Sequence, residues 1–422
     1  MRINTKKLAT LAIAVALIGL TSGARAGGFG IATQSGSGTG NAFAGGSAVA
    51  DDASVAWSNP AAMNFLPDGK QLTGVLHVLR PSFKFRNRGS SGAFAAPGSG
   101  DGGDGGDWAF VPNAFFKMDI NPNWRFGLAL NVPFGLKTDY DNGWRGQLTA
   151  LKSEIKTVNI NPSIAYKFSD TVSIGGGLSV QKLKAELTSF AGAAGNATLK
   201  ADDVGYGFNL GFIVQATPRT RIGATYRSKI RYKLDGTATF SGVSVLNGDI
   251  RADLDVPNSA SLSVFHTLNP EWELMGDLTW TGWSSVQQLT VIRSSASAGG
   301  GAGSTLSTLS FQWNDTWRAS VGANYKLNSR TKIRFGLALD QTPTNGQTRT
   351  PRLPDQNRTW AALGVQHRVS NAGVVDVGYA REFVRDATIN STAAPLSCPP
   401  HCLAGSFDSK AHIFSLQYSH SF

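Results

Sequence analysis

Charged residues are scarce in this chain: Asp, Glu, Lys and Arg make up 16% of its 422 residues, against roughly 25% in soluble domains. Long apolar runs are missing too. The longest stretch, Leu8 to Leu20, has 13 residues, and a membrane-spanning helix needs about 20. These two absences argue against an ordinary soluble domain and against a helical membrane protein.

Motifs for catalysis and nucleotide binding are also missing. No Gly-x-Ser-x-Gly sequence occurs, and the six histidines are scattered along the chain. Gly36-x-Gly38-x-Gly40 does not follow a strand and open a helix, so it does not predict a phosphate loop. We therefore expect neither an enzyme, nor a cofactor, nor a nucleotide-driven pump.

Cysteine is limited to Cys398 and Cys402, which flank Pro399-Pro400-His401. In an oxidising compartment this spacing favours a local disulfide that pins a loop tip. Metal binding by the Cys-Pro-Pro-His-Cys segment is the weaker alternative, because no further cluster of ligands is visible.

Residues 1–26 have the pattern of a secretory signal peptide. Arg2, Lys6 and Lys7 precede the apolar stretch, and Ala24-Arg25-Ala26 is a small-x-small cleavage site. Removing this segment leaves 39 − 4 = 35 basic residues against 28 acidic ones, a net charge of +7. For an exported protein, this surplus indicates anionic lipid, lipopolysaccharide or anionic ligands as partners, and not nucleic acid. Lys182 and Lys184 are candidates for the lipopolysaccharide contact, or alternatively they lie in a lumenal pocket, because the alternation near Gln181 does not fix their direction.

The last strand alternates strictly between apolar and small polar residues. Phe414, Leu416, Tyr418 and Phe422 form one face, and Ser415, Gln417, Ser419 and Ser421 the other. Similar alternation places Trp124, Phe126, Leu128, Leu130, Val132 and Phe134 on one outer face, and Val204, Tyr206, Phe208, Leu210, Phe212 and Val214 on another. One face in lipid and the other towards a wet lumen explains this pattern.

Short turns alternate with long polar loops along most of the chain. The turns lie near residues 121–123, 169–170, 217–219, 269–271, 328–330 and 370–373, and the loops near 87–106, 138–152, 188–202, 236–253, 295–309, 342–357 and 388–407. Six turns and seven loops connect 14 antiparallel strands. The chain is therefore predicted to be all-β, a closed 14-stranded transmembrane β-barrel of a Gram-negative outer membrane. A soluble β-sandwich is the alternative.

Residues 27–68 differ from the rest, because they are rich in Gly, Ala and Ser and do not alternate. We expect them to form a separate N-terminal unit, with the barrel spanning residues 69–422. The third strand contains Pro133 and Gly135, which a spanning strand should avoid unless an interruption is useful. We expect them to open a gap in the wall, although an ordinary bulge is the other interpretation.

The seventh strand carries basic residues on its predicted inner face, while Ile222, Ala224, Tyr226, Ile230 and Tyr232 would face outwards. The inner set is Arg221, Arg227, Lys229, Arg231 and Lys233, and Arg318 points inwards from a later strand. Such a lumen could bind a carboxylate. Alternatively, Asp253, Asp255, Asp277 and Asp340 neutralise these bases.

An ordered set of motifs along the mature chain resembles the FadL family of outer-membrane transporters. The set is Gly27-Gly28-Phe29, Gly36 to Gly45, Ala50-Asp51-Asp52-Ala53, Asn59-Pro60-Ala61, Tyr226-Arg227-Ser228, Asp277 to Trp283, Asp315 to Arg318, Asp340 to Pro343 and Pro354 to Arg358. The resemblance implies passive uptake of long-chain fatty acids or, in the TodX-like branch, aromatic hydrocarbons.

The resemblance also assigns roles. Residues 27–68 would be a hatch folded inside the lumen, with Asn59-Pro60-Ala61 beside the interruption at Pro133 and Gly135, where the ligand leaves sideways. Phe29 would plug the path against the ligand tail, unless it lies in a free tail. From their strand phase, and not from the resemblance, we expect Arg227, Lys229 and Arg318 to bind the ligand. We expect a monomer. An aromatic-hydrocarbon or xenobiotic channel, an adhesin or phage receptor, and an outer-membrane hydrolase are the alternatives, the last without a visible nucleophile.

Overall fold

The computed structural model describes residues 27–96, 99–392 and 396–422. The predicted signal peptide, residues 1–26, lies outside them. The strands form one antiparallel sheet whose first and last strands pair, from Gln71 opposite Ser421 to Asn87 opposite Gly405. This closure satisfies backbone groups that lipid could not. No helix in the described ranges is long and apolar enough to cross a membrane.

The strand segments are β1 (Lys70–Asn87), β2 (Ala109–Asp119), β3 (Trp124–Asn131), β4 (Gly135–Asp139), β5 (Lys152–Lys167), β6 (Val172–Phe190), β7 (Asn196–Thr217), β8 (Thr220–Arg227), β9 (Ile230–Phe240), β10 (Gly248–Val256), β11 (Ser259–Thr267), β12 (Trp272–Thr281), β13 (Gln288–Arg293), β14 (Thr305–Ser310), β15 (Thr316–Lys326), β16 (Thr331–Asp340), β17 (Arg358–Arg368), β18 (Gly373–Val384), β19 (Ala387–Ser391) and β20 (Leu403–Ser421).

These segments make 14 spanning strands, because six of the strands are interrupted: β3/β4, β8/β9, β10/β11, β12/β13, β14/β15 and β18/β19. Eight continuous strands complete the ring, and 8 + 6 = 14. The predicted fold class is confirmed. β1 begins and β20 ends at the end of the barrel with short turns, which we call the turn end, and the opposite end is the loop end.

Several strands extend further than predicted at the loop end. β6 and β7 pair up to Phe190 opposite Asn196, and β9 and β10 up to Ala238 opposite Gly248. The loops expected at 188–202 and 236–253 are therefore mostly hairpins. These segments are rich in small residues and threonine, which is typical of loops, but their backbone N–H and C=O groups still pair in a β-ladder.

The outer face of the barrel is apolar where alternation predicted it. Tyr206, Phe208, Leu210 and Phe212 on β7 are between 43% and 72% exposed, and so are Phe414, Leu416 and Tyr418 on β20, at 46% to 57%. Exposed apolar rings and side chains around the wall form the belt that contacts hydrocarbon.

Residues 27–68 fold inside the lumen, so this part of the fold prediction is also confirmed. The segment, which we call the hatch, contains short helices at Gly36–Gly40 and Val55–Ser58 and a 3-10 helix at Pro60–Phe65. The remaining 3-10 turns lie at Gly92–Phe94, Gly192–Ala194, Ser244–Leu246 and Trp283–Ser285. The first hatch helix contacts β16, β17, β18, β20 and β1, and the 3-10 helix contacts β3, β5, β6 and β7.

Ion pairs and hydrogen bonds fix the hatch to the inner wall. Asp51 lies 2.8 Å from the Arg334 guanidinium and 3.6 Å from Lys332 Nζ, and Asp52 accepts a hydrogen bond of 2.9 Å from Gln417. Small inward residues let the two backbones approach: a Cβ on Gly336 would overlap the Asn41 backbone. Paired polar groups therefore hold the hatch against the wall in the turn-end half of the lumen.

Candidate functional site

The loop-end half of the lumen holds an apolar chamber. Its buried members are Leu183, Ile230, Tyr232, Leu234, Ala238, Ile250, Ala252, Leu254, Val256, Trp283, Val286, Leu289, Val291 and Trp313, with Phe29 from the hatch. A cavity of about 60 Å³ remains inside this chamber. An apolar interior of this extent in a membrane pore is suited to an apolar ligand.

Four aromatic rings close the chamber on its hatch side. The Phe29 ring is 5% exposed, and its centroid lies 5.0 Å from Trp283, 5.7 Å from Trp313 and 5.8 Å from Phe134. Phe29 lines the chamber cavity, whereas Phe134 lines the space on the opposite side and Trp283 adjoins it too. We call these residues the aromatic lid. Phe29 is therefore packed among rings and does not lie in a free tail, while its role as a plug stays a prediction.

A second cavity, of about 330 Å³, lies between the hatch and the wall. It is lined by hatch residues such as Ile31, Gln34 and Trp57, and by wall residues that include Pro133 and Phe134. We call it the hatch cavity. It connects the aromatic lid with the interruption in the third strand.

Arg227 and Arg318 both line the hatch cavity, so the structure brings these two predicted ligand-binding residues together. The Arg227 guanidinium stacks 3.3 Å from the Trp57 ring centroid and donates a 2.8 Å hydrogen bond to the Trp57 carbonyl. Arg318 donates a 2.7 Å hydrogen bond to the Ala42 carbonyl. Each keeps a buried nitrogen without a partner among the described residues, Nη1 of Arg227 and Nε of Arg318. Their ligand-binding role stays a prediction.

Lys229 differs from these two arginines. It lies at the break between β8 and β9, and its Nζ is 2.7 Å from the Asp255 carboxylate. It is absent from the described residues that line the two cavities. For this residue the geometry matches the alternative reading, in which an aspartate neutralises the base.

The same break reverses the inward and outward faces of the seventh strand. Ile230 and Tyr232 are 4% and 1% exposed and belong to the chamber, whereas Arg231 and Lys233 are exposed outside. The prediction that Arg231 and Lys233 point inwards was therefore wrong. Ser228 and Lys229 leave the ladder between β8 and β9, and the alternation restarts in the opposite phase.

The third strand is interrupted where Pro133 and Gly135 predicted it. β3 ends at Asn131 and β4 begins at Gly135, and Phe134 turns inwards into the aromatic lid. The prediction that Phe134 faces lipid was wrong, because Pro133 breaks the alternation just before it. In the described residues, the β2–β3 ladder ends at Ala114 opposite Leu130, and no ladder pair joins residues 109–113 of β2 to β4. The unpaired stretch of β2, residues 109–113, is about 16 Å long along the strand.

The first residues of the hatch cover this interruption from inside. Gly135 N donates a 2.9 Å hydrogen bond to Phe29 O, and Ile31 N donates one of 2.8 Å to Pro133 O. Gln34 Nε2 donates to Val132 O at 3.2 Å, and Asn131 donates to Gln34 Oε1 at 2.6 Å. The backbone that carries the lid residue Phe29 is thus bonded directly to the gap.

Asn59, Pro60 and Ala61 lie elsewhere in the hatch. Asn59 Nδ2 donates to Ser47 O at 2.6 Å and to Phe212 O at 3.0 Å, and Ala61 packs with Ala165. On β5, Ala165 lies eight residues from Thr157, whose hydroxyl bonds Phe134, a separation of about 26 Å along the strand. Their gating role stays a prediction, and their contacts are with β5–β7 and not with the interruption.

Two arginines at the chamber were missed by the sequence reasoning. Arg349 and Arg352 line the chamber cavity from the loop at residues 341–357. Burial lowers the pKa of Arg352 to about 10, so this guanidinium is still charged at neutral pH. The run Arg349-Thr350-Pro351-Arg352, adjacent to Pro354-Asp355 in sequence, was the available signal.

Cys398 and Cys402 are joined in a disulfide, with their Cα atoms 4.9 Å apart. The bonded segment lies against the Gly92–Phe94 turn, since Ser91 Oγ donates to Pro400 O at 2.7 Å. The disulfide therefore fixes a loop at the loop end, outside the two cavities.

A closed barrel with an apolar belt, an internal hatch and two cavities along its lumen defines the class of plugged outer-membrane β-barrels. Residues 17–422 match the family model described as outer membrane protein transport protein (OMPP1/FadL/TodX). The chain belongs to this family of transport proteins, and the family resemblance seen in the sequence is confirmed.

Relatives and solved structures agree with this membership. The chain is 29% identical to outer membrane protein P1 of Haemophilus influenzae, over 89% of this chain and 90% of the relative. It is 26% identical to the long-chain fatty acid transport protein of Escherichia coli O6:H1, over 98% of both chains. The crystal structure of a FadL homologue from Pseudomonas aeruginosa superposes with a TM-score of 0.83 at 28% identity, covering 94% of this chain and 100% of that one. The predicted location in the outer membrane is confirmed.

Proposed function

We propose that this protein takes up long-chain fatty acids or similar hydrophobic molecules by passive diffusion and releases them sideways into the outer membrane. The observation that carries the proposal is the connection between chamber and gap: Phe29 closes the apolar chamber with its ring, and its carbonyl accepts a hydrogen bond from Gly135 at the wall interruption. One movement of the hatch start would open both.

Entry takes place in the chamber. Its aliphatic and aromatic walls can hold an apolar tail, while Arg349 and Arg352 supply charged donors for a carboxylate. Long-chain fatty acids combine these two features. The name of the Escherichia coli relative, a long-chain fatty acid transport protein, supports this substrate class.

Transfer requires displacement of Phe29. An apolar tail that fills the chamber competes with the Phe29 ring for the same contacts with Trp283 and Trp313. Once the ring leaves, the chamber joins the hatch cavity, where Arg227 and Arg318 offer unpartnered buried nitrogens among the described residues. The ligand itself thus provides the free energy for opening, and no other energy source is needed.

Release uses the unpaired edge between β2 and β4. The hatch cavity is lined by Pro133 and Phe134 at this edge, and Ile31 and Gln34 cover it from inside. If the displaced hatch start draws these residues away, an apolar ligand can pass into hydrocarbon without crossing the aqueous periplasm. The whole path lies in one barrel, so we propose a monomer in contact with lipid and lipopolysaccharide.

Gly135→Leu tests the sideways exit. A Cβ at Gly135 would lie 2.8 Å from Ile31 Cδ1, so a leucine wedges against the hatch and fills the gap. Uptake of labelled oleate by a deletion strain should fall at least tenfold, while oleate binding to the purified protein is retained. Gly74→Leu is the matched control, because nothing lies within 4 Å of its Cβ position. Unchanged uptake by a folded Gly135→Leu protein contradicts sideways release.

An aromatic-hydrocarbon channel is the second candidate. The free volume of the chamber is small, about 60 Å³, which suits a compact aromatic ligand. Three of the four lid rings belong to the chamber cluster, and Phe134 packs against it. The two candidates are separated by comparing growth on oleate and on toluene between a deletion strain and the same strain to which the gene has been restored. Restored growth on toluene alone would favour the second candidate.

A further inference from the structure

The outer wall carries a cluster of basic residues just above the apolar belt, where β18, β20 and β1 lie side by side. Arg381 is opposite His412, which is opposite Arg80, so the three form one row across three strands. Lys410 lies in the next row towards the loop end, followed by Lys84 and then Arg86. We call these six residues the outer cation patch.

The strand phase directs the patch away from the lumen. Ala380 and Ile413, the sequence neighbours of Arg381 and His412, are 0% and 1% exposed and pack inside the barrel. Phe407, beside Asp408, is likewise buried. Because successive side chains alternate between faces, the patch residues point outwards.

Few acids neutralise the patch. Asp408 pairs with Arg86 at 2.7 Å, and Asp104 lies 4.0 Å from Arg80 while it accepts hydrogen bonds from Ser82 and the Phe83 amide. Lys84 faces Asp408 across the β1–β20 ladder, but this one carboxylate is already paired with Arg86. Arg381 and Lys410 form no ion pair with any residue that the structure describes. The patch therefore retains an uncompensated positive charge.

Another part of the rim shows the opposite arrangement. On β9 and β10, Lys233 faces Asp253 and Arg251 faces Asp235 across the ladder. Arg231 faces Asp255, which also pairs with Lys229. Lys182, for which the sequence suggested a lipopolysaccharide contact, is paired with Asp202 at 2.8 Å. The surplus charge thus distinguishes the β18–β20–β1 face from this part of the rim.

An apolar surface continues directly below the patch. Val377, Phe414, Leu416 and Phe110 are between 48% and 65% exposed on the same face. Tyr379 lies at the boundary, where its hydroxyl is 2.8 Å from His412 Nδ1. A ligand that fits this face has anionic groups above and several acyl chains below.

We propose that the outer cation patch binds the phosphorylated disaccharide of lipid A, the membrane-embedded part of lipopolysaccharide. The long loops place the patch in the outer leaflet, where this glycolipid supplies both phosphates and acyl chains. Lys84, Arg381 and Lys410 contact the phosphates by charge-assisted hydrogen bonds, and the chains lie along Phe414 and Leu416. This site is separate from the proposed cargo path.

The test compares two triple variants of the full-length protein, purified in mild detergent. The patch variant carries Lys84→Gln, Arg381→Gln and Lys410→Gln. The control carries Arg231→Gln, Lys233→Gln and Arg251→Gln, which removes the same charge from the acid-matched rim. Binding of purified bisphosphorylated lipid A is measured by native mass spectrometry, with dephosphorylated lipid A and phosphatidylglycerol as comparison lipids. Heat-modifiable migration on gels checks that both barrels are folded.

The patch variant should bind bisphosphorylated lipid A about 100-fold more weakly than the unaltered protein, since three headgroup contacts are lost. The control should bind as the unaltered protein does. Oleate uptake should be the same in the unaltered protein, the patch variant and the control. The lipid A result therefore does not depend on whether fatty acids are the transported substrate. Equal binding by the patch variant, equal loss in the control, or equal affinity for dephosphorylated lipid A or phosphatidylglycerol would overturn the proposal.

Discussion

Phe29→Ala is the most direct perturbation of the proposed path. The change removes a ring that is 5% exposed and packs against three other rings at 5.0 to 5.8 Å. Aromatic pairs contribute about 0.5–1.5 kcal/mol each beyond their buried area. The closed arrangement should therefore lose roughly 3 kcal/mol, which shifts the ratio of closed to open hatch by about 150-fold.

Uptake of labelled oleate at low concentration measures this shift. If displacement of Phe29 limits transport, Phe29→Ala should raise the initial rate by tenfold or more, up to the rate of the next slowest step. Phe65→Ala is the matched control, because Phe65 is another hatch phenylalanine, which packs near Arg221 outside both cavities.

The barrel itself should tolerate the change, because its ladders do not include Phe29. Heat-modifiable migration and the amount of protein in the outer membrane should match the unaltered protein. An unchanged uptake rate in a folded Phe29→Ala protein would refute the idea that the aromatic lid is the barrier. An equal increase in uptake rate for Phe65→Ala would show that the barrier is not located at the aromatic lid.

Three further changes test other parts of the molecule. Burial alone would raise the pKa of Asp51, but the charges of Lys332 and Arg334 outweigh this and lower it well below 3.8. Because the pKa of Asp51 is lower in the folded than in the unfolded protein, its ionised carboxylate stabilises the fold at any pH above the unfolded pKa. This stability is lost as the pH falls through the folded pKa. Protection of the hatch from hydrogen exchange should thus be constant from pH 8 to about pH 4, and Asp51→Asn should cost about 3 kcal/mol throughout; pH-dependent protection above pH 5 would contradict this. Arg352→Gln should raise the half-saturating oleate concentration at least tenfold but leave toluene unaffected, with Arg221→Gln as the control outside both cavities. Replacing Cys398 and Cys402 by serine should cost about 2 kcal/mol locally without changing uptake, and a loss of uptake would show that this loop takes part in ligand capture.

Strand number and membrane location could be predicted from the sequence because a period of two and the turn residues are local signals. The alternation of Phe414, Leu416 and Tyr418 on β20 needed no tertiary information. The interruption at Pro133 was equally visible, since proline cannot donate to a ladder.

Side-chain direction after an interruption could not be predicted in the same way. A break of two residues, such as Ser228-Lys229, restarts the alternation in either phase, and only the pairing of β9 with β7 and β10 decides which. For this reason the inward basic row was extended too far, to Arg231 and Lys233. Phe134 was assigned to lipid by the same extrapolation across Pro133.

The members of the chamber were hidden for another reason. Trp283, Trp313 and Arg352 lie between or beside strands, where no period applies. They lie around the same chamber as Phe29 only because closure of the barrel brings loops that are distant in sequence together at one end of the lumen. A single sequence contains no measure of that closure.

The hatch is hydrogen-bonded to the last strand of the wall as well as to earlier ones. Gly36 N donates to the Gln417 side chain at 2.8 Å, and the hydroxyls of Thr39 and Ser415 lie 2.9 Å apart. β20 is also the strand that completes the ring against β1 along a seam from Gln71 to Asn87. The assembly of the wall therefore determines when the hatch is complete: its hydrogen bonds to β20 can form only once that strand, which follows the other described strands in the chain, has joined the ring.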